Sequence, residues 1–418
     1  MSATQTQRVV KSTLPLILII YGTMFLFGLT DNVKGVSYPL IKTDFGQAYD
    51  SQGGLVSLAW LGYVVFCLAA SLFLHRFGVK KAMLAGYVLV AGGAVATLFA
   101  PSFWFVGLTL LVINAGFGFY EVGTNALGTV IFTRRAALMM NLMHFFYGVG
   151  AILGPKAAGF LTSSLNLSWR QVYIAVIIPT GAVFLYTLLT RFQDRGLSSS
   201  GTHPEERINF ITALKNPLVW TFCLVVGLME VIEMGPANWG GLYLQDVFGL
   251  DVRVAGASFV SLFFILFTIS RLVLGPVIEK LGYLRSLAIA TGATILLLLA
   301  GFSLGAAGIW VLPVTGFFIG MLWPTSMAVG MQVFRENAPA VTSVIITVAG
   351  AINGLLQLAI GLTSQVAGPA WGYRSTLVYA VILLGLLGLL ASQSRRWTAA
   401  RDAVAVAQPG AMPGAPGA

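Results

Sequence analysis

The chain has 418 residues, of which 57% are hydrophobic and only 9% charged, with a mean hydropathy of +0.87, 28 Phe and 48 Gly. No class of soluble protein has this composition. A formal charge of +10 and a pI near 9.7 raise the question of nucleic acid, but most of the 24 Lys and Arg fall outside the apolar runs and on one side of the threaded chain, so the basicity reads as a membrane-topology signal.

A helix needs about 20 apolar residues to cross the hydrocarbon core. Runs of that kind predict helices at about 14 to 38, 52 to 74, 82 to 100, 103 to 132, 138 to 163 and 170 to 192. A second set follows at about 217 to 243, 254 to 278, 284 to 304, 306 to 333, 341 to 366 and 372 to 393, twelve in all. The first apolar stretch is too long for a signal-peptide core and contains Asp31 and Lys34, so it is expected to stay as a spanning helix. Threading twelve helices with both ends on one side puts most of the basic residues there, among them Arg76, Lys80, Arg134, Arg135, Arg195, Arg207, Lys280 and Arg395. Only Lys42, Arg170, Arg253 and Arg374 fall opposite, and the positive-inside rule then makes both termini cytoplasmic.

The organisation expected is a cytoplasmic N-terminus (1–13), a six-helix bundle (14–192), a polar cytoplasmic linker (193–216), a second six-helix bundle (217–393) and a disordered Ala/Pro/Gly-rich cytoplasmic tail (394–418). The two bundles repeat at an offset near 202, the internal symmetry of secondary transporters. Gly118, Glu121, Ala126 and Gly128 pair with Gly320, Trp323, Ala328 and Gly330; Gly150, Ala151, Ile152 and Gly154 return as Gly350, Ala351, Ile352 and Gly354. Asp31 falls on Glu233 at the same offset, and the loop Ser71 to Lys81 matches Gly275 to Arg285.

On these features the chain resembles the major facilitator superfamily from its start to about residue 395. The resemblance implies an all-α membrane protein of two pseudo-symmetric six-helix bundles. The superfamily's loop motif is a Gly, three residues, then Asp-Arg, one residue, a second Gly and basic residues. In the second copy Gly275, Glu279, Lys280, Gly282 and Arg285 fit it, with Arg271 just before; the first copy carries His75, Arg76 and Gly78 but departs at Ser71 and His75, so its charge lock is expected to be weak or pH-dependent. The helical motifs are more telling. Tyr120 to Ala126 (YEVGTNA) is similar to the fourth-helix acid motif of the fucose:proton symporter family, and Gly227 to Trp239 (GLMEVIEMGPANW) to the seventh helix of glucose/mannose symporters. The run NLMHFFYGVGAI in the fifth helix and FIGMLWPTSMA in the tenth are also family-like.

Four carboxylates, Asp31, Glu121, Glu230 and Glu233, lie inside apolar stretches. An ionisable group at mid-membrane costs roughly 3 kcal/mol on insertion scales, so each is a functional candidate by default. Glu121 shares a helix face with Gly118, Thr124, Asn125 and Gly128, as suits a cavity wall, and the resemblance makes it the first candidate for proton coupling. Asp31 stands one turn before Lys34, so it is either a substrate or cation ligand or half of a local ion pair. Glu230 and Glu233 are one turn apart, and two adjacent carboxylates in low dielectric do not readily both ionise; Pro236 then interrupts the helix ladder.

His144, one turn beyond Asn141, is expected to face the fourth helix and to relay a proton from Glu121, or to contact substrate together with Tyr147. Asn125, Asn238, Asn353 and Gln357 offer amides that both donate and accept, and Trp60, Trp239 or Trp323 could stack on the apolar face of a sugar ring. The proton-coupling set is therefore Glu121, Asp31, Glu233 and His144; the substrate set is Asp31, Lys34, Asn125, Asn141, His144, Tyr147, Glu230, Glu233, Asn238, Trp239, Trp323, Asn353 and Gln357. The three His are scattered and no Cys/His cluster has metal-ligand spacing, so no metal site is expected.

No phosphate-binding loop, dinucleotide fingerprint or nucleophile triad is present, and no enzyme chemistry is expected. The sequence reads as a monomeric inner-membrane symporter taking up a monosaccharide such as a hexose with a proton, without cofactor. The alternatives are sodium in place of the proton, or efflux or antiport of a small organic molecule or anion, which the resemblance of Gly154-Pro155 to the fifth-helix motif of superfamily antiporters implies, with Lys156 as the anion ligand.

Overall fold

A computed structural model describes residues 3–132, 136–192 and 210–407. The described residues are almost entirely helical, and twelve helices are long and apolar enough to cross a membrane. We number them α1 (Thr13–Asp44), α2 (Tyr49–Phe77), α3 (Val79–Leu98), α4 (Phe103–Ile131), α5 (Leu138–Ser163) and α6 (Trp169–Leu189), then α7 (Pro217–Phe248), α8 (Val252–Val273), α9 (Tyr283–Ser303), α10 (Gly305–Phe334), α11 (Val341–Ala367) and α12 (Pro369–Trp397). An even number of crossings places both chain ends on one side of the membrane, termed the terminal side; the other is the distal side.

Local chemistry sets these boundaries. Ser102 caps α4 by accepting from the Phe105 N–H, Ser168 and Gln171 form a capping box on α6, and Asn216 caps α7 ahead of Pro217 in its first turn. Gly78 and Gly282, both at φ +84°, make the sharp turns α2/α3 and α8/α9, so the repeat extends to backbone conformation. Leu72, Ile178, Leu189, Leu296 and Val366 point outwards and are more than half exposed in the isolated chain, which is the arrangement expected where lipid is the solvent.

Each half has its own buried apolar core. In the first half α1 packs on α5, and α2 and α3 on α4; in the second, α7 packs on α11 and α12. Across the halves α2 lies against α11 and α5 against α8. Small residues let these backbones meet. A Cβ at Gly150 would collide with the Phe25 carbonyl and one at Gly154 with the Leu29 carbonyl, while one on Gly53 of α2 would stand 3.0 Å from the Gly361 Cα of α11.

Two of the interrupted spans flank the site. In α1 the helix breaks at Val33, between Asp31 and Lys34, and Pro39 supplies no N–H to the ladder a turn later. In α7, Pro236 opens a single π turn, Pro236–Gly240, before helix resumes at Gly241.

Three sequence-based expectations differ from the structure or fall outside it. The helix of α12 continues to Ala407, where composition suggests disorder from 394; the stretch is Ala-rich and meets no Pro or Gly before Pro409, so helix propensity carries it on. Residues 408–418, most of the linker (193–209) and Arg134, Arg135, Arg195 and Arg207 lie outside the described residues; Phe210–Leu214 of the linker is a short helix. Finally, the short turn between α4 and α5 predicts that they are neighbours, but α5 packs mainly against α1 and α8.

Candidate functional site

Between the halves lies a cavity of about 540 Å³, within the range of small-molecule sites. It is lined from α1 by Phe27 and Asp31, from α2 by Trp60, Tyr63 and Cys67, from α4 by Glu121 and Asn125, and from α5 by His144 and Tyr147. The second half contributes Glu230 and Glu233 from α7, Arg271 from α8, Trp323 from α10 and Thr347 and Gly350 from α11. All four intramembrane carboxylates predicted from sequence thus meet in one space.

Their surroundings differ. Asp31 accepts from Lys34 Nζ at 2.7 Å, and both side chains are 8% exposed, so this is a buried ion pair. The break at Val33 places the two groups one turn apart with the pair closed. Tyr147 adds a long contact of 3.4 Å from its hydroxyl to the other Asp31 oxygen. Of the two readings for Asp31, the structure shows the local ion pair, with one carboxylate oxygen left towards the cavity. Glu121 accepts at 2.8 Å from Asn125 Nδ2, which also donates to the Glu121 backbone carbonyl, so Asn125 orients the carboxyl rather than standing free for substrate. Glu230 Oε2 is buried and, among the described residues, has no hydrogen-bond partner.

Arg271, assigned from sequence to the loop motif, is a cavity residue in the structure, one turn inside the membrane end of α8. Its Nε donates to the Gly320 carbonyl at 3.0 Å and its guanidinium lies 4.3 Å from the Phe267 ring. Glu233, Tyr147 and Glu121 surround it electrostatically, but among the described residues no carboxylate lies within 4 Å of it. A cation in a run as apolar as Phe259 to Val273 is the signal that could have found it.

His144 also lines the cavity, its ring 6.2 Å from that of Trp323, but no hydrogen bond links it to Glu121 among the described residues. With Arg271 and Trp323 it forms the floor shared with a smaller vestibule of about 210 Å³, to which Asn141, Gly275, Glu279 and Tyr283 contribute. Asn141 therefore belongs to the vestibule. The amides Asn353 and Gln357, with Asn238 and Trp239, do not reach the cavity in this conformation. They are buried on its distal flank, where Trp239 Nε1 donates to Gln357 Oε1 at 2.7 Å and Gln357 Nε2 to Asn353 Oδ1 at 3.2 Å. Lys156 is distant too, donating to Ser258 Oγ at 2.8 Å.

The cavity is sealed on the distal side and extends towards the terminal side. Its rim there is formed by Ser71 near the end of α2, Asn125 near the end of α4 and Ser343 at the start of α11. Distally, Asp246 of α7 accepts from the Tyr49 hydroxyl at 2.5 Å and pairs with Lys42 at 3.5 Å, while the Tyr49 N–H donates to Gln365 Oε1 at 3.1 Å. Gln245 donates to Thr43 Oγ1 at 3.3 Å. Each of these contacts joins one half to the other. Asp44 occupies the repeat position of Asp246, offset by 202, but pairs within its own half, with Arg170 at 2.7 Å. In the loop motifs, His75, Arg76, Glu279, Lys280 and Arg285 are exposed and, among the described residues, make no ion pair within 4 Å; the expected charge locks lie on the open side and are not engaged. Gly78 and Gly282 do serve as the motif's turns.

Comparison with known proteins agrees with this architecture. The chain is 22% identical to the L-fucose-proton symporter of Escherichia coli (strain K12) over 406 residues, covering 88% of this chain and 91% of that protein. Its fold superposes on the crystal structure of the nucleoside transporter NupG with a TM-score of 0.72 at 12% identity, covering 92% of this chain and 99% of the other. For the E. coli fucose:proton symporter FucP the TM-score is 0.62 at 19% identity, with 91% and 99% covered. The family model described as Major Facilitator Superfamily matches residues 20–356. With twelve spans in two repeated halves around a central cavity, the chain belongs to the Major Facilitator Superfamily and is a multi-pass membrane transporter.

Proposed function

We propose that this transporter takes up a monosaccharide together with a proton by alternating access. One observation carries the reading. Four carboxylates converge on a single inter-half cavity that also presents the rings of Trp60, Tyr63, Tyr147 and Trp323. Carboxyl, amide and hydroxyl groups exchange hydrogen bonds with sugar hydroxyls, and aromatic faces cover the apolar face of a pyranose. A carboxyl in low dielectric gives a coupling proton a place to reside.

The similarity to the L-fucose-proton symporter supports the class of substrate and ion. With the basic loops on the terminal side, we place both termini in the cytoplasm of a bacterial-type inner membrane, so the conformation described is inward-facing. In this scheme Glu121 is the proton carrier. It is protonated when the cavity faces outwards, sugar binds between the halves, the halves rock, and the proton leaves along the His144 and Arg271 floor towards the cytoplasm. Asp31, neutralised by Lys34, acts as a fixed acceptor for sugar hydroxyls. Asn238, Trp239, Asn353 and Gln357 join the site when the distal side opens. No cofactor takes part, and the protein acts as a monomer.

The test is uptake of radiolabelled glucose, mannose, fucose and galactose into proteoliposomes under an inward proton gradient, with and without a protonophore. Accumulation of one sugar, abolished by the protonophore, is expected; indifference to the protonophore but dependence on sodium would transfer the coupling role to sodium. A second reading, antiport of a small organic anion, draws on Arg271, which faces the cavity without a carboxylate partner within 4 Å among the described residues. Trans-stimulated exchange of an anion with no sugar uptake would favour it.

A further inference from the structure

Among the residues lining the central cavity, two side-chain polar atoms are buried with no hydrogen-bond partner among the described residues: Nε1 of Trp60 and Oε2 of Glu230. They come from opposite halves, Trp60 from α2 and Glu230 from α7. An orphaned N–H or carboxyl oxygen inside a protein costs about 1–3 kcal/mol, more if charged, and such groups persist where a ligand satisfies them.

The surroundings have the form of a binding wall. The Trp60 and Tyr63 rings stand 5.1 Å apart and tilted by 34°. The Trp60 indole lies over Gly350 and Gly354 of α11, where a Cβ at Gly350 would come within 3.5 Å of Nε1 and one at Gly354 within 3.7 Å of Cδ1. At Gly350 the tight contact is with Val64 Cγ2 at 2.5 Å, so the indole lies against α11 at ordinary van der Waals distance. Tyr63 lies within electrostatic range of both Glu121 and Glu230. Several other polar groups considered for the ligand are already engaged in part: one Asp31 oxygen by Lys34, one Glu121 oxygen by Asn125, and Gln357 by Trp239 and Asn353.

We infer that Trp60 and Glu230 form a subsite that clamps one edge of a neutral polyhydroxylated ring, with the indole N–H donating to one hydroxyl and the Glu230 carboxyl bonding a second. This rests on the monosaccharide reading and assigns to it a particular pair of contacts. Because one contact belongs to each half, a bound ring joins α2 to α7. A molecule lacking either hydroxyl leaves a buried group unsatisfied, which is how a polar site rejects a deoxy analogue far more strongly than an apolar pocket rejects a missing methylene.

The experiment is calorimetric titration of the detergent-solubilised full chain with L-fucose, D-glucose, D-mannose and D-galactose, followed by the monodeoxy forms of the best binder. Trp60→Phe keeps an aromatic ring but removes the donor together with part of the indole face; Glu230→Met keeps the length and removes the oxygens. Each is expected to raise Kd about tenfold, the equivalent of one good hydrogen bond, and Glu230→Gln less than about threefold. One deoxy analogue should bind Trp60→Phe and the unmodified chain alike. Glu230→Gln is isosteric, so it serves as the check that losses at this position are chemical rather than a failure to fold. If the unmodified chain binds a sugar and neither Trp60→Phe nor Glu230→Met weakens it, the subsite is wrong while the sugar reading survives. If no sugar binds the unmodified chain, both fall together.

Discussion

Asp31 and Lys34 offer the sharpest energetic test of how this cavity is built. Nζ and Oδ1 are 2.7 Å apart and each side chain is 8% exposed, so water screens the pair little. Removing one partner from such a pair leaves an uncompensated buried charge, a loss of about 3–5 kcal/mol, whereas replacing both by groups of similar size is close to neutral. Asp31→Asn should therefore destabilise the chain by several kcal/mol, Lys34→Met by a comparable amount, and the double variant by about 1 kcal/mol or less beyond the cost of repacking, a coupling of at least about 2 kcal/mol. The assay is the unfolding midpoint of the three variants in mild detergent, followed by intrinsic tryptophan fluorescence. If the single variants are as stable as the double, Asp31 is not committed to Lys34. It would then be free to act as a proton carrier, contrary to its role as a fixed hydroxyl acceptor.

Three further outcomes follow from the geometry. Cys67 lines the cavity and Cys223 is fully buried away from it, so a membrane-impermeant maleimide should label Cys67 from the terminal side alone and leave Cys223 unmodified; labelling of Cys67 from the distal side would contradict the seal. Asp246→Asn, which removes the charge partner of Lys42 and weakens the acceptor for Tyr49, should shift the population outwards and slow that labelling severalfold; unchanged labelling would show that the latch does not hold the distal side shut. At the α2/α11 contact, a Cβ at Gly361 would approach the Tyr49 carbonyl to 2.6 Å, so Gly361→Val should block distal closure and abolish transport while the protein still folds and inserts; retained transport would contradict the tight packing described.

Most of the fold was legible because membrane insertion imposes a length and an apolarity on every span. Each of the twelve helices predicted from apolar runs has its counterpart, with α1 and α7 running on past a break at Val33 and a π turn at Pro236, and α12 carried further by its Ala-rich end. The carboxylates were legible for the same reason, since a charge in an apolar run stands out.

Contacts between distant spans were not legible. Composition could not tell that α5 would turn its glycines towards α1, or that Gln357 would bond Asn353 and Trp239 instead of facing the cavity. The distal latch could have been suspected from the 202-residue offset between Asp44 and Asp246. The repeat alone does not say that one pairs within its half and the other across it.

The most direct test of proton-coupled sugar transport needs no imposed ion gradient. Proteoliposomes loaded with a pH-sensitive dye receive a pulse of the transported sugar, and the lumenal pH is followed. Sugar moving down its own gradient should carry protons in and acidify the lumen; the Glu121→Gln variant should transport without acidification. Sugar entry with no pH change in the unmodified protein, or acidification that persists in Glu121→Gln, would contradict the assignment of the coupling proton to Glu121.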